Sequence, residues 1–192
     1  MSRLGKEDEY FLAQEHAQRA KLRADLEAKA EAAAQGRKIA ENVGVDDEQL
    51  AQRIGALGFE GETARVLHLM PLVEVAWADG ALSAGERKVI LQAAEARGIK
   101  PHSPSGILLA SLLEERPSDT VLEEILEVLK DLLHAKNAEP KSLLSACIDV
   151  AAASGGFLGM GDKISNEERT LIEEIAATFG DEAKKHISDR LT

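Results

Sequence analysis

Aromatic side chains are nearly missing from this 192-residue chain, which has four Phe, one Trp and one Tyr. With so few of them, a core has to be assembled from Leu, Ile, Val and Ala. That favours helices, because β-branched and aromatic residues concentrate in strands. Cysteine occurs once, at Cys147, so no disulfide can form within the chain, and a cytoplasmic setting is the expectation. Cys147 lies in the apolar helical pattern 143–150 and reads as a small buried hydrophobe. No apolar run approaches the roughly 20 residues a membrane span needs. The N-terminus is charged and carries no apolar stretch, so no secretory leader is read there.

Positive charge is in deficit. The net charge is −11, and residues 1–42 hold eight basic and eight acidic side chains, so the whole excess lies in residues 43–192. Such a body does not attract phosphate backbones, and nucleic acid is excluded as an expected partner. An acidic surface favours cations or basic protein patches, and it also serves solubility.

Signatures of catalysis are lacking too. Gly155, Gly156, Gly159 and Gly161 cluster, but without the Lys-Ser/Thr of a phosphate loop or a strand before them. The five His residues form no pair at metal-ligand spacing. Adjacent acids such as Glu123-Glu124 and Glu173-Glu174 diverge by about 100° on a helix and read as solvated faces. The chain is expected not to be an enzyme.

What the sequence does contain is helical periodicity broken by turn signals. Residues 5–41 are rich in Ala, Glu, Lys, Arg and Gln and have no Pro. They predict one long exposed helix with a narrow apolar stripe (Leu4, Tyr10, Phe11, Leu12, Leu22, Leu26 and Ile39), ended by Gly36 or by Asn42-Val-Gly44. Its role is open between docking on the body, self-association and capture of a protein partner. Asp46 is positioned to cap a short helix over about 47–57. A pattern from Glu62 to Trp77 is interrupted by Pro71, where a kink or break is expected. Ser83, Ser103-Pro104, Pro117-Ser118, Pro140 and Ser165 then open five further helices, and a short tail helix ends at Leu191. No segment alternates with period two. The expectation is an all-α chain, with a charged helical arm over 1–44 and a helical domain over 45–192.

One stretch occurs twice. Val75-Ala-Trp-Ala-Asp-Gly-Ala-Leu-Ser-Ala-Gly-Glu-Arg87 returns in altered form between Val150 and Arg169, with seven extra residues in the second turn. An acid precedes each Val, as Glu74 and Asp149, and Ser-x-x-Glu-Arg opens the following helix in both copies, as Ser83–Arg87 and Ser165–Arg169. Internal repetition of this kind defines an architecture before any single residue does. Each Ser-x-x-Glu fits a capping box, in which the Ser hydroxyl and the Glu carboxylate each accept from the other's backbone N–H. Capping accounts for the polar residues structurally.

A second reading of the same residues is a cation site. Asp79 to Glu86 has the spacing of the last part of an EF-hand loop, but Val75 and Trp77 stand where the first ligands belong, so the turn alone is not an EF-hand. If the two copies face each other, Glu74, Asp79 and Glu86 from one and Asp149, Asp162 and Glu168 from the other form a candidate set of hard oxygen ligands for calcium or magnesium.

Ala76-Trp-Ala-Asp-Gly-Ala-Leu-Ser-Ala-Gly-Glu-Arg87 resembles the Ala-x-Ala-Asp-Gly-x-Ile/Leu-Ser-x-x-Glu signature of the TerB-like, tellurite-resistance helical domains. The likeness covers roughly residues 47–190 and leaves residues 1–42 outside. It implies a helical bundle with an internal pseudo-twofold repeat, here preceded by the long N-terminal helix. It also implies an acidic metal site and a role in stress or metal-resistance complexes near the membrane. Asp79 and Glu86 match the signature acids and Glu168 matches through the second copy, whereas Ser154 replaces the first acid there and the insertion displaces Asp162. The functional expectation is a non-enzymatic TerB-like module that takes a divalent cation at its inter-helix turns. The alternative is a protein-interaction adaptor working through residues 5–41, with purely structural turns.

Overall fold

The computed structural model describes the backbone of residues 3–153 and 164–191, and within these the side chains from residue 11 onward. Among the described residues there are nine α-helices, one 3-10 helix and no strand. None of these helices is long and apolar enough to cross a membrane.

Helix α1 runs from Arg3 to Val43 without interruption. Residues 11–32 are exposed at every position, while Gly36, Ile39 and Val43 are buried. Gly36 therefore does not stop the helix. It sits on the docked face, and the stop comes at Gly44, which takes φ +71° and so closes the last turn with its N–H on Ala40 O at 2.8 Å. The docked end is fastened by polar contacts. Lys136 Nζ donates to Val43 O at 2.8 Å, one of the carbonyls a helix end leaves without an internal partner, and Arg65 Nε donates to Asn42 Oδ1 at 3.0 Å.

Helix α2 (Glu48–Ala56) is capped by Asp47, whose Oδ1 accepts from Gln49 and Leu50 N–H. The cap falls one residue later than Asp46, the position expected from the sequence. On α2, Gly55 faces Ile39 Cδ1 and lets the two helices approach closely. The 3-10 helix (Gly61–Leu69) follows, and helix α3 (Met70–Ala76) begins anew with Pro71 in its first turn. Pro71 has no N–H to give to Leu67, so the ladder restarts there as the sequence predicts.

The remaining helices are α4 (Ala84–Ala96), α5 (Pro104–Leu112), α6 (Asp119–Ala135), α7 (Lys141–Ala153), α8 (Asn166–Thr178) and α9 (Asp181–Leu191). Helix α3 lies at the centre. Six of its residues are buried, and it touches α4, α6, α7, α8 and the 3-10 helix. The buried side chains from Ile39 to Leu191 form one aliphatic cluster containing Val150, with Trp77 packed against its edge. The Trp77 indole N–H donates to Leu112 O at 3.1 Å, which ties α3 to the end of α5.

Candidate functional site

The two Ser-x-x-Glu sequences form the expected caps. Ser83 N–H donates to Glu86 Oε2 at 2.7 Å and Glu86 N–H to Ser83 Oγ at 3.2 Å; the Ser165–Glu168 pair repeats this at 2.6 and 3.1 Å. A capping glutamate ordinarily lies at the surface. Here Glu86 is 2% exposed and Glu168 1% exposed, because the start of α4 is pressed against the end of α7. Gly85 permits that approach: a Cβ there would sit 2.1 Å from Ala153 O, inside any possible contact.

The two buried carboxyls lie close enough to influence one another. Each spends Oε2 on its own serine N–H, and Oε1 of Glu168 is buried with no hydrogen-bond partner. Burial pushes the Glu86 carboxyl above its ordinary range, and the neighbouring Glu168 carboxyl pushes it further against the pull of the Ser83 donors. The Glu86 carboxyl therefore holds its proton more tightly than a free glutamate does.

The arginine after each glutamate also acts alike in the two copies. Arg87 donates to Leu113 O at the end of α5, and Arg169 donates to Leu191 O at the end of α9. Each therefore satisfies a free C-terminal carbonyl and favours the negative end of that helix dipole. The Arg was visible in both sequence copies, but its partner lies more than twenty residues away and only the fold reveals it.

The other candidate ligands are dispersed. Asp79 is exposed, and its Oδ1 accepts from Ala81 N–H at 3.0 Å as a turn-forming aspartate does. Asp149 is exposed on α7. Glu74 is half-buried on α3 and its carboxyl is raised to about 7, chiefly by burial, with Asp119, Glu174 and Glu123 adding to the shift and Arg116 opposing it. Asp162 lies outside the described residues, as do Ser154 and the Gly155–Gly161 cluster. Of the six, the structure joins Glu86 with Glu168. Among the described residues, no three His, Cys, Asp or Glu side chains are grouped so as to hold a metal ion.

Cys147 is fully buried, and burial followed by the Glu74 charge pushes its thiol up, away from the reactive thiolate. His68 is lowered to about 4 by burial, with Lys136 and Arg97 acting in the same sense, so the ring is neutral beside the cation that caps α1.

Two surface grooves were not legible in the sequence. One lies between α4 and α5, has a volume of about 580 Å3 and is floored by Ile99 and Leu109. The other, about 450 Å3, lies between α2 and α6.

No family model matches the chain, and neither a curated protein nor a solved structure matches it.

Proposed function

We propose that this chain is a non-enzymatic interaction adaptor: a TerB-like body of two pseudo-twofold-related hairpins, α3–α4 and α7–α8, presenting α1 as an arm to a protein partner. The observation that carries the reading is the state of α1. Over residues 11–32 every position is exposed, and Phe11, Leu12, Leu22 and Leu26 retain 64, 55, 60 and 58% of their surface. In proteins most helical stability comes from packing an apolar face, and these four side chains leave most of theirs to solvent. The matching caps and the matching Arg87 and Arg169 contacts support the repeat. The stress or metal-resistance assembly implied by the TerB-like signature is the setting we assign to the adaptor.

The test is affinity capture with quantified mass spectrometry, using the full chain against its Leu22→Asp/Leu26→Asp variant. Both side chains keep more than half of their surface exposed, and circular dichroism checks that the variant still folds. The adaptor reading expects a defined set of proteins to be lost with the variant, and identical capture overturns it.

A second reading, divalent-cation binding between the hairpins, draws on the orphaned Oε1 of Glu168. Calcium or magnesium would compete with the proton held by Glu86 and would need ligands beyond the pair, for which the sequence offers Asp162. Titration calorimetry with each ion, together with a metal-dependent rise in Tm that Glu168→Gln abolishes, supports this reading; no heat and no rise refute it.

A further inference from the structure

The partner for the arm is written on the body of the same chain. We propose that the groove between α2 and α6 receives the middle of α1 from a second copy, giving a dimer in which each chain lends its arm to the other. The inference rests on the adaptor reading of α1 and names one occupant for it.

The floor of the groove is apolar, made by Ala56, Leu57 and Val128, and Glu123, Glu124 and Glu127 stand along the α6 side with Arg53 among the lining residues. Glu123 and Glu127 are one helical turn apart and exposed. The arm presents the complement. Arg19, Leu22, Arg23, Leu26, Glu27 and Ala30 share one face of α1. Leu22 and Leu26 match the floor. Arg19 and Arg23, also one turn apart, match Glu123 and Glu127, and Glu27 matches Arg53. Two arginines against three glutamates, with one pair of reversed sign, set both attraction and register. The contacts these groups make within one chain offer little resistance. Arg19 pairs with Glu15 and Arg53 with Asp131, both at half-exposed or more exposed sites, where such pairs contribute little.

A chain does not fill its own groove, because residues 11–32 of α1 are exposed throughout. The docked end of α1 packs on α2, which is also one wall of the groove, so arm root and receiving surface share an element. That placement suits a reciprocal exchange about a twofold axis, which closes on itself and leaves no open end.

The experiment uses sedimentation equilibrium on the full chain and two charge-reversed forms, Arg19→Glu/Arg23→Glu and Glu123→Arg/Glu127→Arg. All four positions are exposed, so folding is undisturbed, and circular dichroism checks this. The wild-type chain is expected to be a dimer that loosens with salt. Each reversed form is expected to dimerise at least about tenfold more weakly. An equimolar mixture of the two is expected to recover a dimer, because both arm–groove contacts are then again of opposite sign. A wild-type chain that stays monomeric, extended or folded back, overturns the inference, as does a dimer indifferent to both reversals or a mixture that stays monomeric. Where the wild type is monomeric yet Leu22→Asp/Leu26→Asp still loses captured proteins, the adaptor reading survives and the self-exchange alone fails.

Discussion

Two stretches of one helix behave in opposite ways. Residues 36–43 of α1 bury Gly36, Ile39 and Val43 against α2 and the 3-10 helix, whereas residues 11–32 are exposed at every position. Local propensity is not what docks residues 36–43, since half of that stretch (Gly36, Ile39, Asn42 and Val43) consists of poorer helix formers. Spacing is. Gly36, Ile39, Ala40 and Val43 fall at intervals of three and four, which places them on one side of successive turns. Between Phe11 and Leu22 the same face carries Glu15 and Gln18. A dense stripe docks within the chain, and a sparse one is left to a partner.

The comparison breaks most visibly at glycine. Gly85→Ala drives a Cβ into Ala153 O and forces α4 off α7, so urea unfolding should show a loss of about 3 kcal/mol or more. Gly36→Ala, inside α1, meets nothing within 4 Å and should raise stability by about 0.5–1 kcal/mol, the ordinary gain for a helical glycine. Equal melting temperatures for the two variants would deny that α4 and α7 touch as described.

The next effect is aliphatic. Ile39→Ala leaves a cavity where α1 meets Gly55 and should cost about 2–3 kcal/mol in the same assay, and Leu22→Ala, assayed at a dilution that keeps the chain monomeric, should change stability by less than about 0.5 kcal/mol. Similar losses at both positions would mean that the arm is packed along its whole length.

The acids sharpen the contrast further. Glu86→Ala removes a cap and leaves Glu168 without its carboxyl neighbour, for a loss of about 2 kcal/mol. Glu86→Gln keeps the size of the side chain but cannot ionise. Because the folded-state value of Glu86 is raised, its contribution is complete below the ordinary carboxylate range and is lost as pH rises through the raised value. The Gln variant should therefore gain stability relative to the wild type as pH rises from about 4 to about 8. A wild-type stability that climbs with pH relative to Glu86→Gln would contradict the raised value of Glu86. Glu27→Gln, on the exposed arm, should shift stability by less than about 0.5 kcal/mol.

Much of the fold was readable in order along the chain, because caps and breaks are local chemistry. Ser83, Ser103 and Ser165 cap the helices they were expected to open, and Pro71 breaks the pattern through residues 62–77. The error of position was small and equally local. Of the two ends offered for α1 it is the Asn42-Val-Gly44 stretch that stops it, Gly44 taking positive φ, and Asp47 rather than Asp46 caps α2. The site was readable only in part. Glu86 and Glu168 were singled out by repetition, yet a capping box reads the same whether it faces water or the interior. Their meeting depends on Gly85, which resembles any other small residue until Ala153 is placed above it. Nor does sequence spacing report that Glu74 faces Asp119, Glu123 and Glu174 from two other helices, or that Lys136 reaches back to Val43.

Hydrogen exchange along α1 of the full chain, followed by mass spectrometry at low and high protein concentration, tests the division of labour most directly. The account predicts that amides of residues 36–43 exchange slowly at both concentrations. Amides of residues 11–32 should exchange fast when dilute and become protected when concentrated. Uniform slow exchange over all of α1, independent of concentration, would contradict it.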